Sequence, residues 1–291
     1  MTDNLRGSLF MVLAMLGFAI EDMLLKRVAA AGMPVGQVLI LFGGGGALLF
    51  AALTHGRGEA IWHPAVLAPR MMMKAGFEVM GRLFYTLAIA LTPLSSASAI
   101  LQATPLVVVA GAALIFGERV GWRRWLAILL GLVGVLVILR PGLEGFSVAS
   151  LLAVAGLIGF AGRDLATRAA PKVLSNFQLG IYGFLAMVPT GAALLAWQGG
   201  AVRPDPGMMA EMGAAIGVGV FAYWALTVAM RTGEVSVVTP FRYTRLVFAL
   251  ILGILVFGES PDSMTLAGSA IVVAAGIYTL LRSRQVSRHG G

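Results

Sequence analysis

Residues Gly17–Arg27 read GFAIEDMLLKR, and residues Gly159–Ala169 read GFAGRDLATRA. The Gly-Phe-Ala triplet and the Asp five positions after its Gly recur at an offset of 142. Working outward, Ser95–Glu118 and Ser236–Glu259 align at an offset of 141, each closing on Phe-Gly-Glu, and Gln37 and Gln178 fall on that offset too. The chain is a tandem duplication of a unit about half its length, with the copies divided as residues 1–141 and 142–291. A repeat of fixed period governs the fold more than any single residue does.

Composition fixes the class. The chain is 59% hydrophobic and 12% charged, with a mean hydropathy of +0.91. A soluble domain carries about 25% charged residues, so most of this surface must face lipid. Cysteine is absent, which removes disulfides, thiolate metal sites and redox thiols. His55, His63 and His289 fall in expected loops or the tail and make no metal-ligand cluster. Thirty-eight glycines suit membrane helices, where small residues let backbones approach closely. The net charge of +8 is spread through loops without a basic domain, which points to membrane flanks rather than nucleic acid.

A helix needs about 20 mainly apolar residues to cross the hydrocarbon core. Stretches of that kind fall at 8–26, 35–54, 71–91, 95–116, 122–139, 148–167, 175–197, 208–230, 235–257 and 263–281. The expected fold is therefore an all-α integral membrane protein of ten spans, five per repeat. The period-2 alternation of a membrane barrel is missing. Links such as Thr92-Pro93-Leu94 are short, and the longest, His55 to Arg70, holds no inserted domain. The first span is read as a helix and not a signal peptide, because Glu21-Asp22 and Lys26-Arg27 interrupt the approach to Ala29-Ala30-Ala31.

Basic residues in the loops orient the chain. One side holds Arg6, Arg57, Arg70, Arg119, Arg123, Arg124, Arg168, Lys172, Arg231, Arg282, Arg284 and Arg288; the other holds Lys26, Arg27, Arg140 and Arg203. Both termini are expected in the cytoplasm. An odd number of spans per repeat then inverts the second copy, about a pseudo-two-fold axis in the membrane plane. Inverted repeats are typical of secondary transporters, with sites near the midplane between the copies.

With ten spans, the duplicated Gly-Phe-Ala segments, two Phe-Gly-Glu closures at Glu118 and Glu259 and a Gly-rich last helix in each half, the chain resembles the drug/metabolite transporter superfamily. The branch is the one built from two EamA-type five-helix repeats, and within it the chain is most similar to bacterial aromatic amino-acid exporters. The resemblance implies a multi-pass protein of the bacterial inner membrane that exports small metabolites, with no cofactor and no enzymatic activity. The same superfamily also carries nucleotide sugars, triose phosphates, purines and cationic drugs.

Ionisable residues inside spans are functional candidates by default. At about 1.5 Å rise per residue, Glu78 and Arg82 in span 3 lie about 10 to 17 Å in. Arg242 and Arg245 in span 9 reach the same zone, as do Gln102 and Thr104-Pro105 in span 4. Pro105 and Pro240 each remove a helix hydrogen bond and can bend the helix or free a carbonyl. Lys74, Glu78 and Arg82 are four apart and share a face, as a salt-bridge ladder lining water or as part of a site. Lys74 is shallow enough to snorkel to the interface. Arg242 and Arg245 lack a local acid and need an anion, either Glu78 or a substrate carboxylate.

Glu21-Asp22 is placed toward the outer third and Arg163-Asp164 toward the inner third, one polar cluster near each mouth, read as alternate gates or as solvated helix ends. Phe77, Tyr85, Tyr223, Trp224 and Tyr243 lie near the central depth. Tyr223 is the repeat mate of Arg82, and Tyr243 of Gln102. The expected substrate site is Glu78, Arg82, Gln102, Tyr223, Trp224, Arg242, Tyr243 and Arg245. Arginines would take a carboxylate, Glu78 or Asp164 an ammonium, and aromatic and Met walls a side chain. An amino acid carried by a monomer fits this balance. Phosphorylated metabolites are the alternative, drug cations fit a basic midplane less well, and a channel stands beside them. No metal spacing, G-x-S-x-G elbow or phosphate loop supports an intramembrane enzyme, and no nucleotide motif supports direct ATP drive.

Overall fold

A computed structural model describes residues 2–91, 100–139, 150–257 and 263–289. Its helices are α1 (Asp3–Ala30), α2 (Val35–Gly56), α3 (Pro69–Leu91), α4 (Thr104–Phe116), α5 (Trp122–Leu139) and α6 (Ser150–Arg168). They continue as α7 (Asn176–Leu185), α8 (Met187–Gln198), α9 (Pro206–Thr232), α10 (Val235–Val238), α11 (Thr244–Phe257) and α12 (Ser263–His289). No strand occurs among the described residues. Each helix falls on one of the apolar stretches of the sequence. Thr92-Pro93-Leu94, Ser95, Arg140 and Gly258-Glu259 lie outside the described residues.

Local chemistry sets the ends. Thr2 Oγ1 accepts from the Leu5 N–H at 3.4 Å to start α1, with Asp3 in its first turn. Ser175 and Gln178 close a reciprocal capping box on α7. Asp205 accepts from the Met208 N–H at 2.8 Å, with Pro206 next to it, to start α9. Gly117 ends α4 at φ +66°, the left-handed conformation that favours glycine. Among the described residues four stretches are long and apolar enough to cross a membrane: Asp3–Ala30, Val35–Gly56, Asn176–Trp197 and Pro206–Thr232. α3 is of similar length but carries Arg70, Lys74, Glu78 and Arg82.

Three predicted spans are interrupted. Span 7 divides at Ala186 into α7 and α8, because Pro189 has no N–H for the Leu185 carbonyl. Span 4 unwinds at Gln102-Ala103, directly before Pro105 in the first turn of α4. Span 9 runs as α10, a 3-10 turn over Thr239–Tyr243 that contains Pro240, and α11. The unwound Gln102-Ala103 and the end of that turn at Tyr243 are repeat mates, so the two copies break at equivalent places. Broken helices at depth belong where backbone lines a cavity or is buried in protein.

Packing follows the duplication. α1 runs against α9, and α3 against α6; α1 and α6 are mates, as are α3 and α9, so the two pairs exchange under the repeat. α2 packs on α7 and α8, its own mate, and α5 on α12. Gly36 backs onto Gly191 while Gly180 backs onto Phe50, so α2 and its mate are antiparallel. Two mates that pack antiparallel are related by an axis perpendicular to both helices, which makes the repeats inverted. On the α3–α6 pair Gly159 approaches Gly81 so closely that a Cβ on Gly159 would strike the Gly81 backbone. A core of Met11, Met15, Phe42, Phe50, Phe184 and Tyr223 lies inside. Leu48, Leu114 and Leu255 face outward, with Trp62, Trp122 and Trp197 exposed near the ends of the helices. An apolar rim banded by Trp is the surface a bilayer selects.

Candidate functional site

The buried charges converge. Lys74 Nζ donates to the Tyr223 hydroxyl at 2.8 Å and lies 3.5 Å from Glu78 Oε2. Tyr223 donates in turn to Glu78 Oε2 at 3.0 Å. Arg163 Nη1 reaches Glu78 Oε1 at 3.4 Å, and its Nε donates to Asp164 Oδ1 at 2.9 Å. Arg242 pairs with the other oxygen of Asp164. Lys74, Glu78, Arg163, Asp164 and Tyr223 are all buried, on helices α3, α6 and α9 from both repeats. Phe50 and Phe184 enclose the Tyr223 ring at 6.2 and 5.4 Å between centroids. In so dry a place each charge must be matched, because an unpaired one would cost several kcal/mol, on the order of 3–5.

A second pair adjoins the first. Arg245 Nε donates to Asp22 Oδ2 at 2.9 Å, and the Arg245 guanidinium lies 5.2 Å from the centre of the Phe18 ring. The opening motif thereby acquires a physical reading. Gly17 lets α1 close on Ala222 as Gly159 lets α6 close on Gly81. Phe18 underlies Arg245, and Phe160 underlies Arg82 and Arg163 at 5.8 and 5.1 Å. The duplicated acids Asp22 and Asp164 both turn to span 9, taking Arg245 and Arg242 respectively. Asp22 and Arg245 are 52% and 34% exposed at the side chain despite their depth in the helices. Charges at that depth belong against water and not hydrocarbon, which sets the exposed Asp22–Arg245 pair apart from the buried Glu78 cluster.

Two groups stand outside this pairing. Glu21 is buried beside Gly219 and Phe42, and its Oε2 has no hydrogen-bond partner among the described residues. Arg82 Nε is likewise buried without a partner. Together the zone holds Lys74, Arg82, Arg163, Arg242 and Arg245 against Glu21, Asp22, Glu78 and Asp164, one cation in surplus.

Several expectations need correction. Lys74 does not snorkel to the interface; it is buried on Tyr223 and Glu78. The arginines of span 9 take Asp164 and Asp22 as anions, not Glu78. Glu21-Asp22 and Arg163-Asp164 do not form separate mouths but join one continuous charged zone. Helical rise locates Cα atoms, about 10 Å in for Glu78 and about 6 Å in for Arg163, and a long arginine side chain spans the difference. Tyr243 turns away from the charges, donates to the Ile128 carbonyl at 3.3 Å, and packs with Val135 and Val272. Trp224 lies among Phe10, Phe177 and Phe221 on the other flank. Gln102 sits in the unwound turn before α4. The sequence reading missed Phe18 and Phe160; their place in the duplicated motif was the available signal.

Polar contacts also tie the ends together. Glu118 accepts the N–H groups of Val235 and Ser236, both at 3.1 Å, so the first Phe-Gly-Glu caps the start of span 9. Arg124 pairs with Glu234 at 2.6 Å, and Asn4 accepts from the Glu234 N–H at 2.8 Å. The duplicated glutamines do equivalent work. Gln37 donates to the Val202 carbonyl and Gln178 to the Ala60 carbonyl, each at 2.7 Å, in corresponding loops of opposite repeats.

Sequence comparison gives the family. Residues 5–140 and again 147–282 match the EamA-like transporter family. The chain belongs to that family. It is similar to the pseudopaline exporter of Pseudomonas aeruginosa, 30% identical over 92% of this chain and 94% of the exporter. An S-adenosylmethionine uptake transporter of Rickettsia prowazekii is 25% identical over 70% of this chain and 69% of its own. A riboflavin transporter of Vibrio cholerae is 32% identical over 62% of this chain and 60% of its own. A solved crystal structure covers 96% of the chain, and is itself covered to 98%, at a TM-score of 0.80 and 20% identity. This EamA-family chain is thus a small-molecule transporter of the membrane and not an enzyme. These relatives are named for solutes other than aromatic amino acids. Among the described residues no group of His, Asp and Glu is placed to hold a metal ion.

Proposed function

We propose that the chain exports amphoteric metabolites of amino-acid type across the bacterial inner membrane by alternating access, as a monomer with both termini cytoplasmic. The buried charged zone carries this reading. It is assembled from both inverted repeats, it centres on a helix broken at Pro240, and it balances five cations against four acids. A zwitterion places opposite charges into such a zone without leaving either unmatched, and the surplus cation favours a carboxylate. The Phe and Tyr rings of the core supply an apolar wall. Outward direction is supported by the relative at 30% identity, which is named an exporter; the uptake relatives lie at lower identity and coverage. The cytoplasmic placement of the termini is supported by the excess of Lys and Arg on their side.

A phosphorylated metabolite is the second reading, because two arginines on one broken helix suit a phosphate as well as a carboxylate. Against it, both already hold carboxylates, and Glu78 and Glu21 repel a dianion. A competition panel of amino acids, sugar phosphates and organic cations against counterflow in proteoliposomes tests both. Competition by amino acids alone supports the proposal. Competition by sugar phosphates alone, or saturation by cations lacking a carboxylate, refutes it.

A further inference from the structure

The structure assigns a seat for acidic phospholipid to the loop between α2 and α3: Ile61, Trp62 and Leu67 enter the bilayer interface, and Arg70 and Lys172 meet the lipid phosphates. The loop does not stand away from the helix ends. Arg57 lies over the Phe177 ring at 4.9 Å, the Ala60 carbonyl accepts from Gln178 at 2.7 Å, and the Ile61 carbonyl accepts from the Tyr182 hydroxyl at 2.9 Å. As the loop advances from Arg57 to Ile61 its partners advance from Phe177 to Tyr182, so it runs back alongside the first two turns of α7. Tyr182 follows the Ser175 cap by about 10 Å along the axis, and its side chain leans back toward the helix start. Ile61 and Trp62 are thereby set about 5–10 Å inside the end of the span, the depth that interfacial segments occupy.

Packing fixes which side chains stay outside. A 3-10 turn over Pro64–Leu67 sends Val66 inward, onto a buried cluster with Met71, Leu174 and Leu179. Trp62 and Leu67 remain 57% and 62% exposed, and Ile61 is exposed as well. Glu59 is the one acid of the loop and is taken by Arg57 at 3.4 Å. Arg70 and Lys172 are exposed and enter no ion pair among the described residues. Met71 follows Arg70, and Leu174 lies two positions after Lys172; because both share the buried cluster, the two cations come to one patch. A Trp with aliphatic neighbours is at home at headgroup level, and surplus cations there attract acidic lipid. The other repeat keeps the glutamine tie, from Gln37 to Val202, but residues 199–205 hold Val202 as their only large apolar side chain. The apolar foot is therefore an addition to one face of the molecule and not a product of the duplication.

The test uses the full chain in phosphatidylcholine vesicles carrying an equal mole fraction of either brominated phosphatidylcholine or brominated phosphatidylglycerol. Fluorescence quenching that belongs to Trp62 is the difference between wild type and Trp62→Phe, which keeps the apolar foot. Both lipids are expected to quench Trp62, brominated phosphatidylglycerol about threefold more strongly, with the preference falling as salt is added. Arg70→Gln combined with Lys172→Gln is expected to abolish the preference while quenching by brominated phosphatidylcholine persists. If the double variant is not monodisperse, Lys172→Gln alone is expected to cut the preference by about half. Absence of Trp62 quenching by either lipid would put the loop in water or against a protein and overturn the assignment. Equal quenching by the two lipids in wild type, or a preference that survives loss of the cations, overturns it as well. The measurement needs no substrate, so failure of the carrier reading leaves its outcome untouched.

Discussion

Glu78 serves three donors, Lys74, Tyr223 and Arg163, whereas Lys74 serves one carboxylate and one hydroxyl. Loss of one partner from a buried pair costs more than loss of both, because the remaining charge stays dry. Glu78→Gln is therefore expected to lower stability by about 3–5 kcal/mol, since it strands Lys74 and leaves Arg163 with Asp164 alone. Lys74→Met is expected to cost less, about 1–3 kcal/mol, because Glu78 keeps Arg163 and Tyr223. Adding Lys74→Met to Glu78→Gln should recover part of the loss. Thermal unfolding in detergent reads all three; a Lys74→Met variant that melts lower than Glu78→Gln would contradict this ordering. At this scale the sequence showed which residues carry charge, but not which pair. The Asp of the duplicated motif was plain to read, yet its pairing with Arg242 or Arg245 depends on azimuth and side-chain reach, which spacing along one helix does not contain.

Helix pairs give a sharper case, since contact there is backbone on backbone. Gly159 packs on Gly81, while Gly44 in α2 has nothing within 4 Å of where a Cβ would stand. Gly159→Ala should destabilise the protein by about 1–3 kcal/mol through forced separation of α3 and α6. Gly44→Ala should be neutral or stabilise by up to about 1 kcal/mol from helix propensity. Detergent melting curves of the two variants should shift in opposite senses or differ by that margin; matching losses would show that the helix approach is not limiting. The spans themselves were legible because an apolar run of the right length has few alternatives in a chain so poor in charge. The breaks were half legible: Pro105 and Pro240 announced them, but not the unwound Gln102-Ala103 or the 3-10 turn that ends at Tyr243. Tyr243 and Trp224 were misplaced because depth says nothing about which way a ring faces, and Tyr243 turns toward Gly131 and Val135 on α5.

Across the whole molecule the two ends are unequal. On the side of the N-terminus, Glu118, Arg124, Glu234 and Asn4 tie α1, α5 and the start of span 9 together, and the charges beneath them are buried. On the other side Asp22 and Arg245 are partly exposed. The repeat does not mirror this lock: Arg124 corresponds to Thr265, and Glu234 to Pro93. The opposite end has an ion pair of its own, Arg27 with Glu211 at 2.6 Å, but it joins α1 and α9, which already pack together, whereas Arg124–Glu234 joins the start of α5 to span 9. That difference biases the carrier toward the state in which the Arg124 end is shut, and a ligand or mutation shifts the balance by its differential effect on the two states. The native chain has no cysteine, so single introduced thiols report access without background. Asp22→Cys should react with an impermeant maleimide added to the face opposite the termini. Thr239→Cys, buried beneath the lock in the 3-10 turn, should stay unreactive from both faces. Combining Thr239→Cys with Arg124→Ala should open it to labelling from the face of the termini and slow labelling of Asp22→Cys in the matching double variant. An unchanged Thr239→Cys would mean that the end contacts hold the loops without deciding which way the carrier faces.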